Sequence, residues 1–393
     1  MGKALRRLAG KSFNGAHWGK TLQGVPGKIM GPWLDFYAGR RILDRLRDEG
    51  LRWERIKGVF GAAGGPKWLV LYGLDRVLCQ EWLSNAKSPV DFLGASIGAW
   101  RFAAYCQKDP AAALDRFLAA YREQSYSSTP TPQEVSQVLG NVLRSFVGDR
   151  EAQHMATHPL RRLHIVAVRG RGFLNTQAAP WVAVGLAAAF TANAVRRKWL
   201  KGFFERTIFA HTQGDLLRHV DHGAWPARRV PLRASNVIPA LLASGSIPLL
   251  MEPIMNIPEA PSGAYWDGGL TDYHVTVPVR PNSDRIFLYP HYTHRLVPGW
   301  FDKRFAGRRP NLSHVDEVLL VVPSRRFVDS LPYGRIPDRK DFWIFAGQDF
   351  QRRRFWDTVI VQSRRLGDEF MEQVLSGKIR HCVRPMDTLV CRP

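Results

Sequence analysis

Gly94-Ala95-Ser96-Ile97-Gly98 is a GxSxG pattern set directly after an apolar run of strand length and directly before a helical run. In that context Ser96 is a candidate nucleophile. A sharp strand-to-helix turn exposes a serine hydroxyl only when its neighbours, here Gly94 and Gly98, are small. The helix that follows turns unsatisfied N–H groups and its positive dipole end toward any charge formed nearby. A tight turn that happens to contain serine would look the same. Upstream, Gly61-Ala62-Ala63-Gly64-Gly65-Pro66-Lys67 also lies between a strand-like and a helix-like run. It is no nucleotide loop: no register gives GxGxxG, and Pro66 and Trp68 break GxxxxGK[ST]. Its glycines would let the backbone approach a substrate, and Gly64 and Gly65 would offer N–H donors to an oxyanion. A plain βα turn uses the same residues. Downstream, Asp267-Gly268-Gly269 follows Tyr265-Trp266 and presents a carboxylate at the end of a short strand; Asp-Gly also marks surface turns.

In this order the three segments resemble the patatin-like phospholipase family, whose pattern is a GGGx[RK] loop, then GxSxG, then DG[GA]. The stretch Ala240-Leu241-Leu242-Ala243-Ser244-Gly245-Ser246-Ile247-Pro248 is similar to that family's Ala/Ser-rich segment, and the resemblance covers about residues 55–280. It implies a Ser96–Asp267 dyad without histidine, supported by Gly268 and Gly269. It also implies an oxyanion hole at Gly64 and Gly65, with Ile97 N–H as a further donor, and an acyl-enzyme in the cleavage of lipid esters. Neither a metal nor an organic cofactor is implied. The chain departs from the pattern at Ala63, where the first glycine of the triplet belongs, and at Trp68, where a glycine follows the basic residue. Tyr273-His274 stands where the family has asparagine. Lys67 is read as structural.

Two other readings remain open. A Ser-His-Asp esterase would need a histidine after the acid, and His274, His291 or His294 could formally supply it, although none has a local signature. A non-catalytic lipid-binding relative would use the basic surface and has no need of the three segments together.

The elements that must position these residues follow from apolar periodicity. Strands are predicted at 56–60, 90–93, 163–168, 208–210, 264–266, 286–289 and 318–322. Helices are predicted through Trp68, Leu71 and Leu74, and at 98–107, 112–121, 135–146, 238–244 and 354–375. Alternating strands and helices imply an α/β fold with a mostly parallel sheet covered on both faces; the resemblance makes it three-layered. The expected organisation is a basic segment at 1–54, the acyl hydrolase domain at 55–285, and a basic C-terminal extension at 286–393 that completes or packs on it.

The chain has 393 residues, 45% of them hydrophobic, enough for a large core. Its 56 Lys+Arg against 34 Asp+Glu give a formal charge of +22, a field that draws a protein toward polyanions. No RNA-recognition, helix-turn-helix or zinc-finger signature accompanies it. The expected partners are therefore a phospholipid or other acyl-ester lipid and an anionic membrane surface, not nucleic acid; nothing sets the oligomeric state. Four separated cysteines without a CxxC pair fit a reducing compartment, and His291 and His294 form an HxxH pair lacking the zincin glutamate. The expected location is cytoplasmic with peripheral membrane attachment. Residues 1–34 are basic and free of acids but lack the apolar core of a signal peptide. Residues 178–195 run eighteen long without a charge. Their alanines, Pro180, Gly185, Thr191 and Asn193 predict a buried or interfacial helix rather than a membrane span.

Overall fold

The computed structural model describes residues 31–281 and 284–390. The basic stretch 1–30 and Cys391 lie outside the described residues. The strands are β1 (Leu34–Ala38), β2 (Ile56–Gly61), β3 (Val90–Ala95), β4 (Arg161–Gly170), β5 (Phe204–Ala210), β6 (Arg228–Pro231), β7 (Ile254–Met255), β8 (Ala264–Asp267), β9 (Ile286–Pro290), β10 (Val318–Pro323) and β11 (Val383–Pro385). They form one mixed, mostly parallel sheet in the order β11-β1-β10-β9-β2-β3-β4-β5-β6, with β8 against β4 and β7 against β8. The central run β10-β9-β2-β3-β4 is parallel throughout, which requires crossovers; helices supply those from β2 to β3 and from β3 to β4, while a segment with two short 3-10 turns joins β9 to β10. Every residue of β3, β9 and β10 is buried. Alternate side chains point to opposite faces, so both faces of the sheet are covered.

Each strand predicted from periodicity is present and slightly longer. The α/β pattern starts before residue 55: β1 and helix α1 (Arg40–Glu49) already belong to it. β1 pairs antiparallel with β10 and parallel with β11. Residues beyond 286 supply β9 and β10, which lie between β2 and β1 in the interior of the sheet. Around the sheet lie α2 (Tyr72–Val77), α3 (Ile97–Tyr105), α4 (Pro110–Arg122), α5 (Pro132–Arg144), α6 (Asp149–Thr157), α7 (Ala179–Val195), α8 (Ala234–Gly245) and α9 (Asp349–Leu375). The predicted helix at 354–375 begins five residues sooner, at Asp349.

Candidate active site

β3 ends at Ala95 and α3 starts at Ile97, which leaves Ser96 alone to make the turn. It does so at φ 54°, ψ −130°, a left-handed conformation that strains a residue bearing a Cβ. The turn is this tight because its glycines touch backbone: a Cβ on Gly98 would come within 2.4 Å of the Gly61 carbonyl, and one on Gly94 within 2.5 Å of Ala99 N. α3 is held from behind. Arg101 Nε donates to Asp75 Oδ2 at 2.7 Å, both side chains being buried. Trp100 Nε1 donates to the Leu241 carbonyl at 2.8 Å.

Asp267 reaches Ser96 through strand lanes. β3 pairs with β4 up to Ala95 opposite Val166, and antiparallel β8 pairs with β4 from Asp267 opposite Ala167 onward. β5 pairs with β4 from His164 to Gly170 on its other side, across the junction of the two stretches. β3 and β8 therefore share one lane and run toward each other, and their ends meet at Val166–Ala167. Ser96 Oγ donates to Asp267 Oδ2 at 2.8 Å, and Gly269 N–H donates to Asp267 Oδ1 at 2.6 Å. Burial raises the Asp267 carboxyl to about 6 even though the Ser96 hydrogen bond, the Gly269 N–H, Arg339 and Lys303 all pull it down.

Ser244, inside the Ala/Ser-rich stretch, carries a role that no local signal showed. Its Oγ accepts from Ser96 N–H at 2.8 Å and donates to the Val166 carbonyl at 2.6 Å. It thereby satisfies the strained amide and ties the elbow to the point on β4 where the two strands meet. The Ser96 amide is consequently occupied.

The glycine loop stands across from this pair. The N–H groups of Gly64 and Gly65 donate to no described protein acceptor. Gly64 presses against Tyr292, whose ring would lie 2.8 Å from a Cβ there. The departures from the family pattern at Ala63 and Tyr273 contact each other: Ala63 N–H donates to the Tyr273 carbonyl at 2.9 Å. The Ala63 carbonyl accepts from the Tyr292 hydroxyl. Lys67 is tied to Asp338 at 3.2 Å, in keeping with a structural role.

The three histidines are engaged elsewhere. Val297 N–H donates to His274 Nδ1 at 2.9 Å, so the ring proton sits on Nε2, which faces Tyr292 Oη at 3.0 Å. Burial and His291 keep His274 neutral, and burial pushes His291 down to about 3. His291 contacts the Thr293 carbonyl, and His294 meets Asp35 at 2.8 Å. Among the described residues, Ser96 Oγ bonds to Asp267 and to no histidine.

Ser96 sits where two cavities join. One is apolar, about 430 Å³, lined among others by Trp100, Tyr121, Val135, Leu139 and Phe342. The other is a small compartment of about 50 Å³ walled by Gly64, Asp267, Gly269, Tyr273 and Trp300. Ser96, Ile247 and Arg339 line both. Tyr273 also walls a groove of about 850 Å³ that carries Lys67, Arg295, Lys303 and Arg335.

The sequence profile of the patatin-like phospholipase family matches residues 84–280. That match takes in Ser96, Ser244 and Asp267 but neither the glycine loop nor Arg339. In structure, the chain is similar to VipD from Legionella pneumophila, with a TM-score of 0.29 and 11% identity, over 68% of this chain and 55% of that one. It thus spans little more than half the length of that solved protein. No curated protein matches the chain.

Proposed function

The chain belongs to the patatin-like phospholipase family, and from that premise we propose that it is a lipid acyl hydrolase with Ser96 as nucleophile and Asp267 as base. Ser96 Oγ attacks the ester carbonyl carbon while its proton passes to Asp267. The oxyanion is received by the N–H groups of Gly64 and Gly65, with Ile97 N–H beside them. Collapse expels the alcohol, which takes the proton from Asp267 and leaves an acyl-Ser96 ester. Water then attacks that ester as Asp267 removes its proton, and the proton returns to Ser96 as the fatty acid departs. The apolar cavity accommodates the acyl chain. One observation carries this reading: a serine held in a strained turn, its hydroxyl 2.8 Å from a buried aspartate. Against the triad reading stand the three histidines, each bonded elsewhere. Labelling the purified protein with a fluorophosphonate and mapping the adduct by mass tests it. The adduct is expected on Ser96 and lost in Ser96→Ala; labelling elsewhere, or none, overturns the assignment.

We further propose that the enzyme works docked on an anionic membrane. α7 buries Val182, Gly185, Ala189 and Asn193 along one side and leaves Trp181 and Val184 exposed. Phe173 stacks on Trp181 at 5.2 Å, and Trp199, Leu249 and Trp300 are also exposed. Trp300 and Leu186 also wall the dyad compartment, which puts this apolar surface beside the chemistry. Among the described residues no helix is long and apolar enough to cross a membrane, so contact is at the surface. Of the basic triplet after α7, Arg196 and Lys198 are exposed. Arg197 turns inward, to Asp302 at 2.9 Å and the Thr271 carbonyl at 2.6 Å, and is structural.

A further inference from the structure

Among the described residues the Arg339 side chain makes no hydrogen bond or ion pair; the neighbouring Asp338, which feels its charge, is already held by Lys67, the basic residue of the glycine loop. Arg339 lines both the apolar cavity and the dyad compartment and is half-buried. Its guanidinium lies about 3.9 Å from the space beside Gly65. Lys303 resembles Arg339 in facing no carboxylate of its own: its ammonium stands 3.6 Å from the centre of the Tyr273 ring. Segment Trp300–Arg304, which carries it, is fastened to α7 because Asp302 accepts from Asn193 at 3.0 Å and from Arg197. Arg339 and Lys303 both act on Asp267 and repel each other. Arg339 lines the dyad compartment and Lys303 stands behind Tyr273, which walls it; two partly desolvated cations of like charge on either side of one ring are costly unless an anion joins them. Asp267 does not serve, since Ser96 and Gly269 hold its oxygens.

We propose that Arg339 is a specificity-determining residue that binds a phosphate on the alcohol side of the scissile ester, with Lys303 reinforcing the field. A guanidinium fork matches phosphate oxygens bidentately, which an ammonium cannot do. The acyl chain fills the apolar cavity and the carbonyl lies at Ser96. The alcohol then passes Arg339 toward Tyr273 and the basic groove beyond it. The favoured substrate class is an acyl ester whose alcohol bears a phosphate a few bonds from the ester oxygen. This rests on the dyad reading above and adds the substrate feature recognised.

The test compares 1-acylglycerol 3-phosphate with 1-acylglycerol of the same chain, both below their aggregation concentrations. Wild type is expected to favour the phosphorylated ester in kcat/KM by about ten- to a hundredfold, the worth of a hydrogen-bonded charge. Arg339→Gln should lose more on that ester than on the other by a similar factor, and Arg339→Lys should recover part of the difference. Equal losses on both esters, or no preference in wild type, overturn the proposal. Calorimetric titration of Ser96→Ala with the same two lipids separates the subsite from the chemistry. Tighter binding of the phosphorylated lipid, lost in Ser96→Ala/Arg339→Gln, supports the subsite even where wild type hydrolyses neither ester. Equal binding of both refutes the subsite and leaves the hydrolase reading intact.

Discussion

Asp267 faces opposing demands. A carboxylate is a weak base for a serine hydroxyl, and burial strengthens it by disfavouring the charge. With its carboxyl at about 6, kcat/KM should rise with pH through about 6 and level off above. A midpoint near 4, the value of a solvated aspartate, would contradict this. The same shift affects stability. The native state holds a proton that the unfolded chain releases at lower pH, so stability is full below about 4 and falls as pH rises through 6. The cost at neutral pH is about 3 kcal/mol. Asp267→Asn should therefore abolish turnover yet raise Tm at pH 8, with the gain gone at pH 4; thermal scans at both pH values check it. Ser244 makes a different contribution. Ser244→Ala leaves the buried Ser96 N–H and Val166 carbonyl without partners, a loss of about 2–4 kcal/mol. Since the elbow loosens while the acyl cavity is untouched, kcat should fall about ten- to a hundredfold with KM little changed. Denaturant titration and steady-state kinetics measure the two effects separately.

At the scale of elements, the site is a meeting of two strand ends in one lane beside β4. Gly268 is the close contact there: a Cβ would lie 2.1 Å from the Val166 carbonyl oxygen. Gly268→Ala should push β8 back from β4, draw Asp267 away from Ser96 and cut the fluorophosphonate labelling rate by more than about tenfold. Overpacking of this kind costs about 1–3 kcal/mol. Gly202→Ala, where nothing lies within 4 Å, should label at the wild-type rate. Equal rates in the two variants would show that the strand contact does not position the aspartate. The loop opposite is fixed by a relay from Val297 through His274 and Tyr292 to the Ala63 carbonyl. His274 thus holds up the loop, and its substitution should lower activity far less than that of Ser96.

At the scale of the whole molecule, the docking proposal has the +22 charge and the exposed aromatic surface of α7 act together. Exposed basic residues near an anionic surface contribute about 1 kcal/mol each, and Arg196, Lys198 and Lys201 are exposed beside the apolar patch. Arg196→Glu/Lys198→Glu should weaken co-sedimentation with anionic vesicles by about tenfold or more at low salt, with much less effect on neutral ones. Added salt should erode the wild-type advantage. Trp181→Ala should weaken binding to both vesicle types. Binding that is equal on both lipids and indifferent to these changes would remove α7 as the docking surface. Arg197 is left out of the set because charge reversal there would break its bond to Asp302 rather than a headgroup contact.

Periodicity and motif chemistry are local properties, and they were legible. The apolar runs of β2, β3, β4, β9 and β10, the small residues that force the elbow, and the candidacy of Ser96, Asp267, Gly64 and Gly65 can all be read along the chain. β1, β6, β7 and β11 escaped: β6, β7 and β11 have only two to four residues and no motif to mark them, and Asp35 interrupts the short apolar run of β1. Contacts between distant segments decided the rest. Ser244 joins the elbow across 148 positions and Tyr292 reaches Ala63 across 229. Arg339 comes to the dyad from beyond the matched family segment, and Arg197 is distinguished from Arg196 only by the buried Asp302 it meets. Hydrogen bonds and Coulomb forces act over a few ångströms of space. Which side chains come within that range is set by the order of strands in the sheet, and no spacing along the chain encodes it.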